Sequence, residues 1–150
     1  MQVTLAGKPK VFETTFGHMP SSLFYFEDSS VILALEPDGK NVYRSDNDGK
    51  DWDVVDEVKS KALDMYQHPF DKEKAVVFGE GKEHWKTSDK GKSWKKFKTE
   101  LPLSVLQQPL SFNANKPEYV LFAGRECESD TFFPLGCVDK VRGRLCGGEL

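Results

Sequence analysis

The chain carries the stretch Val42-Tyr-Arg-Ser-Asp-Asn-Asp-Gly-Lys-Asp-Trp52, and a later stretch, His84-Trp-Lys-Thr-Ser-Asp-Lys-Gly-Lys-Ser-Trp94, matches it position by position. The two stretches lie 42 residues apart. A second pair of similar segments, 74–79 and 118–123, recurs with an offset of 44 residues. A period of this length indicates that one small structural unit is copied along the chain.

Each unit is predicted to be a small antiparallel sheet. Asn47-Asp-Gly49 is typical of a tight hairpin turn, because Asn or Asp followed by Gly supplies the positive φ that such a turn requires. Residues Lys59–Tyr66 fit either a helix or a strand that enters the second unit. The strands predicted from apolar runs and turn signals are 31–35, 41–45, 52–55, 75–78, 84–86 and 94–97.

Four-stranded units that recur every forty-odd residues are typical of β-propeller blades. We therefore predict an all-β fold, a partial β-propeller, with blades at about residues 20–62 and 63–106, a partial blade at 107–140 and an atypical tail at 141–150. A β-sandwich is the structural alternative, since it also contains many short strands. A sandwich would not require the same turn at the same period.

Both turns fit the Asp-box, or BNR, pattern Ser/Thr-x-Asp-x-Gly-x-x-Trp, with Asn47 where aspartate is usual. The hydroxyl and the carboxylate or amide accept hydrogen bonds from backbone N–H groups of the turn. The tryptophan is expected to bury its ring against a neighbouring sheet. All these roles are structural, so we predict no catalytic function for the box residues, which are Ser45, Asn47, Gly49, Trp52, Thr87, Asp89, Gly91 and Trp94.

Composition excludes several function classes. The net charge of −3 and the pI of about 5.7 argue against a nucleic-acid partner. No apolar run approaches the roughly 20 residues that span a bilayer. Met1–Lys10 lacks the pattern of a signal peptide. The chain as written is therefore expected to contain neither a transmembrane segment nor a signal peptide. His18, His68 and His84 share no ligand spacing, and no nucleophile–base pair is evident. No metal, cofactor or catalytic site is predicted.

Three cysteines lie in the last quarter of the chain: Cys127, Cys137 and Cys146. An odd number leaves at least one of them unpaired within the chain. Cys127 and Cys137 are spaced to close a short loop, and free buried thiols fit the spacing equally well. The sequence assigns no role to Cys146.

The stretches around the boxes resemble, in their order, the start of the luminal domain of the sortilin family, and most of all the fungal vacuolar (carboxypeptidase Y) sorting receptors. The resemblance covers about residues 11–139 and includes a cysteine pair after a third-blade strand, matched by Cys127 and Cys137 as a possible disulfide. The stretches that carry it are Pro20–Phe26, Val31–Leu33, Asn41–Ser45, His68–Asp71 and Pro109–Phe122.

The resemblance implies a ten-bladed propeller, of which this chain holds about two and a half blades, facing the Golgi or endosome lumen. It implies the cargo-binding part of a vacuolar or lysosomal sorting receptor, not an enzyme and without a cofactor, whose partners are soluble vacuolar hydrolases or peptides. Membrane attachment would come only from segments absent from this chain. The binding residues of the family lie mostly on later blades, so none is carried over.

Two other functions stay open. A sialidase-like Asp-box glycoside hydrolase needs paired carboxylates and an arginine cluster, whereas Arg44, Arg125, Arg142 and Arg144 are dispersed. The second open function is that of a propeller scaffold, which binds a protein without sorting it.

After Asp139 no third Asp-box follows, so the chain is expected to be incomplete. Its open sheet edges predict that it is marginally folded or aggregation-prone by itself.

Overall fold

The computed structural model describes residues 11, 13–103, 109–116, 119–127 and 137–143. This part of the chain forms strands, one short 3-10 helix at Asp56–Val58, and no α-helix. Residues Lys59–Tyr66, for which helix and strand were both open, contribute to a strand. The strands are β1 (Ser22–Tyr25), β2 (Ile32–Glu36), β3 (Asn41–Ser45), β4 (Asp53–Val54), β5 (Ala62–Gln67), β6 (Ala75–Gly79), β7 (Glu83–Thr87), β8 (Lys95–Lys98), β9 (Leu110–Phe112), β10 (Val120–Cys127) and β11 (Cys137–Gly143).

The strands form three antiparallel sheets in which each strand pairs with its neighbours in the chain. The first sheet is β1-β2-β3-β4, the second is β5-β6-β7-β8, and the third is β9-β10-β11. The all-β prediction is therefore confirmed for the described residues. The third sheet extends to Gly143, beyond residue 140 where the predicted third blade ends, and the division into blades remains a prediction.

The first two sheets share one register. Ser45, the first residue of the first box, lies opposite Ile32 on β2, and Thr87, the first residue of the second box, lies opposite Ala75 on β6. This register makes Ile32 equivalent to Ala75. The equivalence continues along both strands, so that Glu36 at the end of β2 corresponds to Gly79 at the end of β6. Both box turns therefore leave their sheets at the same place.

The core consists of two apolar layers between successive sheets. Ala75 and Val77 of β6 face the first sheet, while Val76 and Phe78 face the third, because successive side chains of a strand point to opposite faces. This explains why β6 is a continuous apolar run that is buried throughout. β2 is buried throughout as well, but it ends with the carboxylate of Glu36. The first layer joins Leu33, Leu35 and Val42 to Met65, Trp85 and Trp94, and the second joins Val76 and Phe78 to Leu110, Val120 and Phe122.

Polar contacts also hold the first sheet against the second. Arg44 Nε donates to the carbonyl oxygen of Lys90 at 3.1 Å, and Gln67 Nε2 donates to the carbonyl oxygen of Tyr25 at 3.2 Å. Exposed ion pairs also join the two sheets, but each contributes only about 0–1 kcal/mol, so the apolar layer dominates the contact. The ion pairs are Lys40–Glu80, Lys72–Glu27 and Lys72–Asp28. Within the described residues, no helix has the length and hydropathy needed to cross a bilayer.

Candidate functional site

The first box turn, between β3 and β4, is held by side-chain hydrogen bonds to its own backbone. Ser45 Oγ accepts from Gly49 N at 2.9 Å and donates to Asn47 Oδ1 at 3.0 Å. Asn47 Oδ1 also accepts from Asp51 N at 3.0 Å, and Asn47 Nδ2 donates to Asp51 Oδ2 at 2.8 Å. Trp52 Nε1 donates to the carbonyl oxygen of Gly49 at 2.9 Å, which fixes the indole over the turn.

The second box turn, between β7 and β8, repeats this pattern. Thr87 Oγ1 accepts from Gly91 N at 2.9 Å and donates to Asp89 Oδ1 at 2.7 Å. Asp89 Oδ1 accepts from Ser93 N at 2.9 Å, and Asp89 Oδ2 accepts from Ser93 Oγ at 2.5 Å. Trp94 Nε1 donates to the carbonyl oxygen of Gly91 at 3.1 Å. The structure thus brings together all eight predicted box residues, four in each turn.

Both turns pass through two successive residues in the left-handed region. The φ values are +61° at Asp48 and +83° at Gly49 in the first turn, and +58° at Lys90 and +76° at Gly91 in the second. Glycine adopts this conformation without the steric strain that a side chain introduces. A Cβ on Gly91 would also lie 3.1 Å from Leu33 Cδ2, so the second turn approaches the first sheet closely.

The two tryptophans differ in what covers them. Trp94 is 8% exposed and belongs to the apolar layer between the first and second sheets. Trp52 is half-buried, and its ring packs edge-to-face on Phe16 with a centroid distance of 5.1 Å. A box tryptophan is therefore covered by the preceding sheet in one case and by the segment before β1 in the other.

Asp89 is ionised and fully engaged by its turn. Burial by itself would raise the pKa of Asp89, but hydrogen bonds from the Ser93 side chain and backbone and from Thr87 hold that pKa below its usual value. Both carboxylate oxygens accept hydrogen bonds from the turn. The arrangement stabilises a bend in the backbone.

His84 is a buried residue to which the sequence assigned no role. Its Nδ1 accepts from Gly79 N at 3.3 Å, so Nε2 carries the proton and donates to Thr99 Oγ1 at 2.8 Å, and Thr99 Oγ1 in turn donates to the carbonyl oxygen of Leu101. Burial lowers the pKa of His84 to about 4, so the ring is neutral near pH 7. Its position matches buried Val42 in the first unit, which was the available signal that it points inward.

Glu36 is a second buried ionisable residue to which the sequence assigned no role. It is 2% exposed at the end of β2. Its carboxylate accepts from His18 N at 2.7 Å, Asn41 Nδ2 at 3.0 Å and Tyr43 Oη at 3.1 Å. These hydrogen bonds, the one from Asn41 above all, hold the pKa of Glu36 below its usual value. One donor comes from a segment 18 residues away, which no local pattern could show.

The remaining candidates form no further cluster within the described residues. His68 Nδ1 accepts from Phe70 N at 3.1 Å, and the His68 ring packs on Phe112 with a centroid distance of 4.6 Å. No group of three potential metal ligands is found in the described ranges. The backbone register pairs Cys127 with Cys137 directly across β10 and β11. Arg144 and Cys146 lie outside the described residues.

A profile of the sortilin family, described as sortilin, neurotensin receptor 3, matches residues 40–136 of the chain. The match includes both box turns. It begins before β3 and ends immediately before β11. The family resemblance inferred from the sequence is therefore confirmed.

Curated fungal proteins named vacuolar protein sorting/targeting protein 10 are similar over most of the chain. The protein from Blastomyces gilchristii is 38% identical over 135 residues, which is 85% of this chain and 9% of that protein. The protein from Mycosarcoma maydis is 36% identical over 150 residues (97% and 9%), and that from Chaetomium globosum is 40% identical over 123 residues (81% and 8%). The chain thus spans less than a tenth of the length of these relatives.

One solved structure with a similar fold is the crystal structure of an ancestral GH74 enzyme, a propeller-type protein. It superimposes with a TM-score of 0.54 at 12% sequence identity, over 68% of this chain and 16% of that one. At this identity the likeness concerns the fold alone. It supports antiparallel sheets of the propeller type.

Proposed function

The chain belongs to the Sortilin-Vps10 family, and from this premise we propose that it forms part of the cargo-binding propeller of a vacuolar protein sorting receptor. In this proposal the receptor faces the Golgi or endosome lumen and binds soluble vacuolar hydrolases or peptides. The observation that carries the proposal is the family match over residues 40–136, which covers both box turns. The partners are proteins, and their identity is left to experiment.

The box residues serve this function by shaping the sheets. Their donors and acceptors are used within the turn, from the hydroxyls of Ser45 and Thr87 to the indole N–H groups of Trp52 and Trp94. A side chain that is saturated in this way has little capacity left to bind cargo. Cargo contacts are therefore assigned to other surfaces of a closed propeller, for which we propose the ten blades of the family.

Cys127 and Cys137 are proposed to form a disulfide that ties β10 to β11. Residues directly opposite on antiparallel strands have Cα atoms about 4.5–5.5 Å apart, which lies within the range of about 4.4–6.8 Å that disulfides require. The register pairs these two residues directly. A luminal compartment is oxidising enough for such a bond to persist.

The proposal is tested by deleting the gene that encodes the chain and following a soluble vacuolar hydrolase. We expect the hydrolase to be secreted into the medium, retained again when the intact gene is restored, and recovered with the affinity-tagged product of that gene. Normal retention in the deletion strain would contradict the sorting role. Recovery of a bound protein without any sorting defect would instead indicate the scaffold function.

The comparisons favour no hydrolase. The family consists of sorting receptors rather than enzymes, and the GH74 enzyme shares only the fold. Of the four arginines that a sialidase-like site would use, Arg44 is bound to the second box turn through the carbonyl of Lys90 and lies 3.6 Å from Asp46. Those contacts give Arg44 a structural role between two sheets.

A further inference from the structure

Two Asp-Gly pairs in the chain lie in turns of different construction. Asp38-Gly39 lies in the turn between β2 and β3, and Asp48-Gly49 lies in the first box turn. Each pair is followed by lysine, so the two tripeptides are identical. An aspartate before glycine is chemically labile, because the glycine nitrogen has no side chain beside it and can approach the carboxyl carbon of the preceding residue. Any difference in reactivity between the two pairs therefore reports on their turns.

The reaction at such a pair needs no reagent except water. The glycine nitrogen attacks Cγ of the aspartic acid and a C–N bond forms, while one carboxyl oxygen leaves as water with the proton of the acid and that of the nitrogen. Water then opens the resulting succinimide ring at either carbonyl, which restores aspartate or yields isoaspartate. The water lost on closure is returned on opening, and nothing is oxidised or reduced. The glycine N–H has to leave any hydrogen bond that it makes before it can react.

The first box turn holds its Asp-Gly pair on both sides of the reacting atoms. Gly49 N donates to Ser45 Oγ at 2.9 Å, and the carbonyl oxygen of Gly49 accepts from Trp52 Nε1 at 2.9 Å. Asp48 N donates to the carbonyl oxygen of Ser30 at 3.0 Å. The hydrogen bond of Gly49 N has to break before this nitrogen can attack, and a barrier raised by the worth of one such bond slows a step by up to about tenfold.

The turn between β2 and β3 leaves its pair unprotected. Lys40 N donates to the carbonyl oxygen of Pro37 at 3.2 Å, but Gly39 N makes no hydrogen bond within the described residues. The Asp38 side chain is 75% exposed, and its carboxylate lies 3.7 Å from His18 Nδ1, too far for a hydrogen bond. The turn closes an end of the first sheet, whereas a neighbouring propeller blade packs on a face of a sheet. Asp38 is therefore free to rotate onto Gly39 N.

We propose that Asp38 is a site of spontaneous isomerisation to isoaspartate, and that the first box turn protects Asp48 from the same reaction. At residue 38 the product carries the main chain through the former side chain. This adds one methylene group to the backbone of the turn and leaves the former main-chain carboxyl group as a free carboxylate. The inference does not depend on the sorting role.

The turn has no room for a longer backbone. A Cβ on Gly39 would clash with Glu36 Oε2 and would lie 2.9 Å from Asn41 Nδ2, so the turn packs directly on the buried carboxylate of Glu36. The hydrogen bond from Asn41 Nδ2 to Glu36 Oε2, at 3.0 Å, joins the adjoining ends of β2 and β3. Isomerisation at Asp38 is therefore expected to disturb this end of the first sheet, and the modified chain should unfold at a lower urea concentration.

The test follows both aspartates in the same sample. The chain is incubated for several weeks at body temperature and mildly acidic pH and is then digested with trypsin, which leaves Asp38 in the peptide 11–40 and Asp48 in the peptide 45–50. Electron-transfer fragmentation in a mass spectrometer identifies isoaspartate in each peptide. We expect isoaspartate to accumulate about tenfold faster at residue 38 than at residue 48. In concentrated urea, where neither turn is folded, the two rates should agree closely.

Two variants are the matched controls. Ser45→Ala removes the acceptor of Gly49 N and should raise the rate at Asp48 toward its value in urea, while the rate at Asp38 stays the same. Asp38→Glu keeps the charge but cannot close the five-membered ring, so no isomer should form at residue 38. Equal rates at both aspartates in a chain that circular dichroism shows to be folded would overturn the proposal, as would a difference that persists in urea. If Ser45→Ala does not fold, the comparison of the folded chain with the chain in urea decides.

Discussion

The two box turns make equivalent hydrogen bonds with opposite side-chain polarity. In the first, the amide of Asn47 donates to the carboxylate of Asp51, and in the second, the carboxylate of Asp89 accepts from the hydroxyl of Ser93. The departure of Asn47 from the usual aspartate is therefore matched by a change four residues later. What the repeat preserves is a complementary donor–acceptor pair across the turn, and the residue types follow from it.

The two turns also differ in what they support. Trp94 is part of the apolar layer between two sheets, whereas the ring of Trp52 packs on Phe16, in the segment before β1. The motif sets the local geometry of a turn. The stability that each tryptophan contributes depends on the surface that covers it.

The largest expected difference concerns these tryptophans. Replacing Trp94 by alanine should lower the free energy of unfolding by about 3–5 kcal/mol, since it removes a large buried ring and leaves a cavity. Trp52→Ala should cost about 1–2 kcal/mol, because its half-buried ring loses less apolar contact. Urea unfolding followed by circular dichroism measures both. Equal losses would show that the segment before β1 buries Trp52 as well as a sheet buries Trp94.

The next largest expected effect is a pH dependence of the unfolding free energy, which arises in the second sheet and distinguishes it from the first. The pKa of His84 is lowered from 6.5 to about 4, so the unfolded chain binds a proton at a higher pH than the folded chain does. The stability contribution is therefore complete above pH 6.5, falls as the pH drops toward 4, and amounts to about 3 kcal/mol. The loss is measured as the change in unfolding free energy between pH 7 and pH 4.

Its matched control uses the residue that the first sheet has at this position. His84→Val introduces the counterpart of Val42, and we expect a chain that is less stable at pH 7, since Gly79 N and Thr99 Oγ1 lose their partner, but whose stability changes much less between pH 6.5 and 4.5. Glu36 and Asp89 have lowered pKa values, so their contributions are lost only below about pH 4.5. If the unfolding free energy of the His84→Val chain still fell between pH 6.5 and 4.5 as it does in the unmodified chain, the assignment of this pH dependence to His84 would be contradicted.

A smaller effect should be the same in both turns. Thr87→Ala and Ser45→Ala each remove the oxygen that accepts from the glycine N–H and donates to the next box residue. Each is expected to cost about 1–2 kcal/mol of unfolding free energy, since a glycine N–H that is partly buried in the first turn and buried in the second loses its acceptor. Thr87→Ser keeps the hydroxyl and serves as the control. A loss confined to one turn would show that the two hydroxyls are not equivalent.

These effects also mark what the sequence could and could not predict. The strands beside the boxes were predictable because turn chemistry and a fixed period act locally, and β3 occupies the predicted residues 41–45. The hydrogen bond from His18 to Glu36 and the packing of Phe16 on Trp52 were not predictable, since they join segments that are distant in sequence and show no periodicity. The third sheet has no box, and its one local signal was the segment 118–123, which repeats 74–79 and overlaps β10, so the bounds of its other strands could not be predicted.

The smallest expected effect tests the complementarity of the turns directly. Asn47→Asp should place a second carboxylate where the amide now donates to Asp51 at 2.8 Å, and the repulsion should lower the unfolding free energy by about 0.5–1 kcal/mol because the site is exposed. Adding Asp51→Ser recreates the Asp–Ser pair of the second turn and should restore most of the loss. The coupling is obtained from a double-mutant cycle at pH 7. An additive cycle would mean that residues 47 and 51 vary independently, and the shared donor–acceptor logic of the two turns would be wrong.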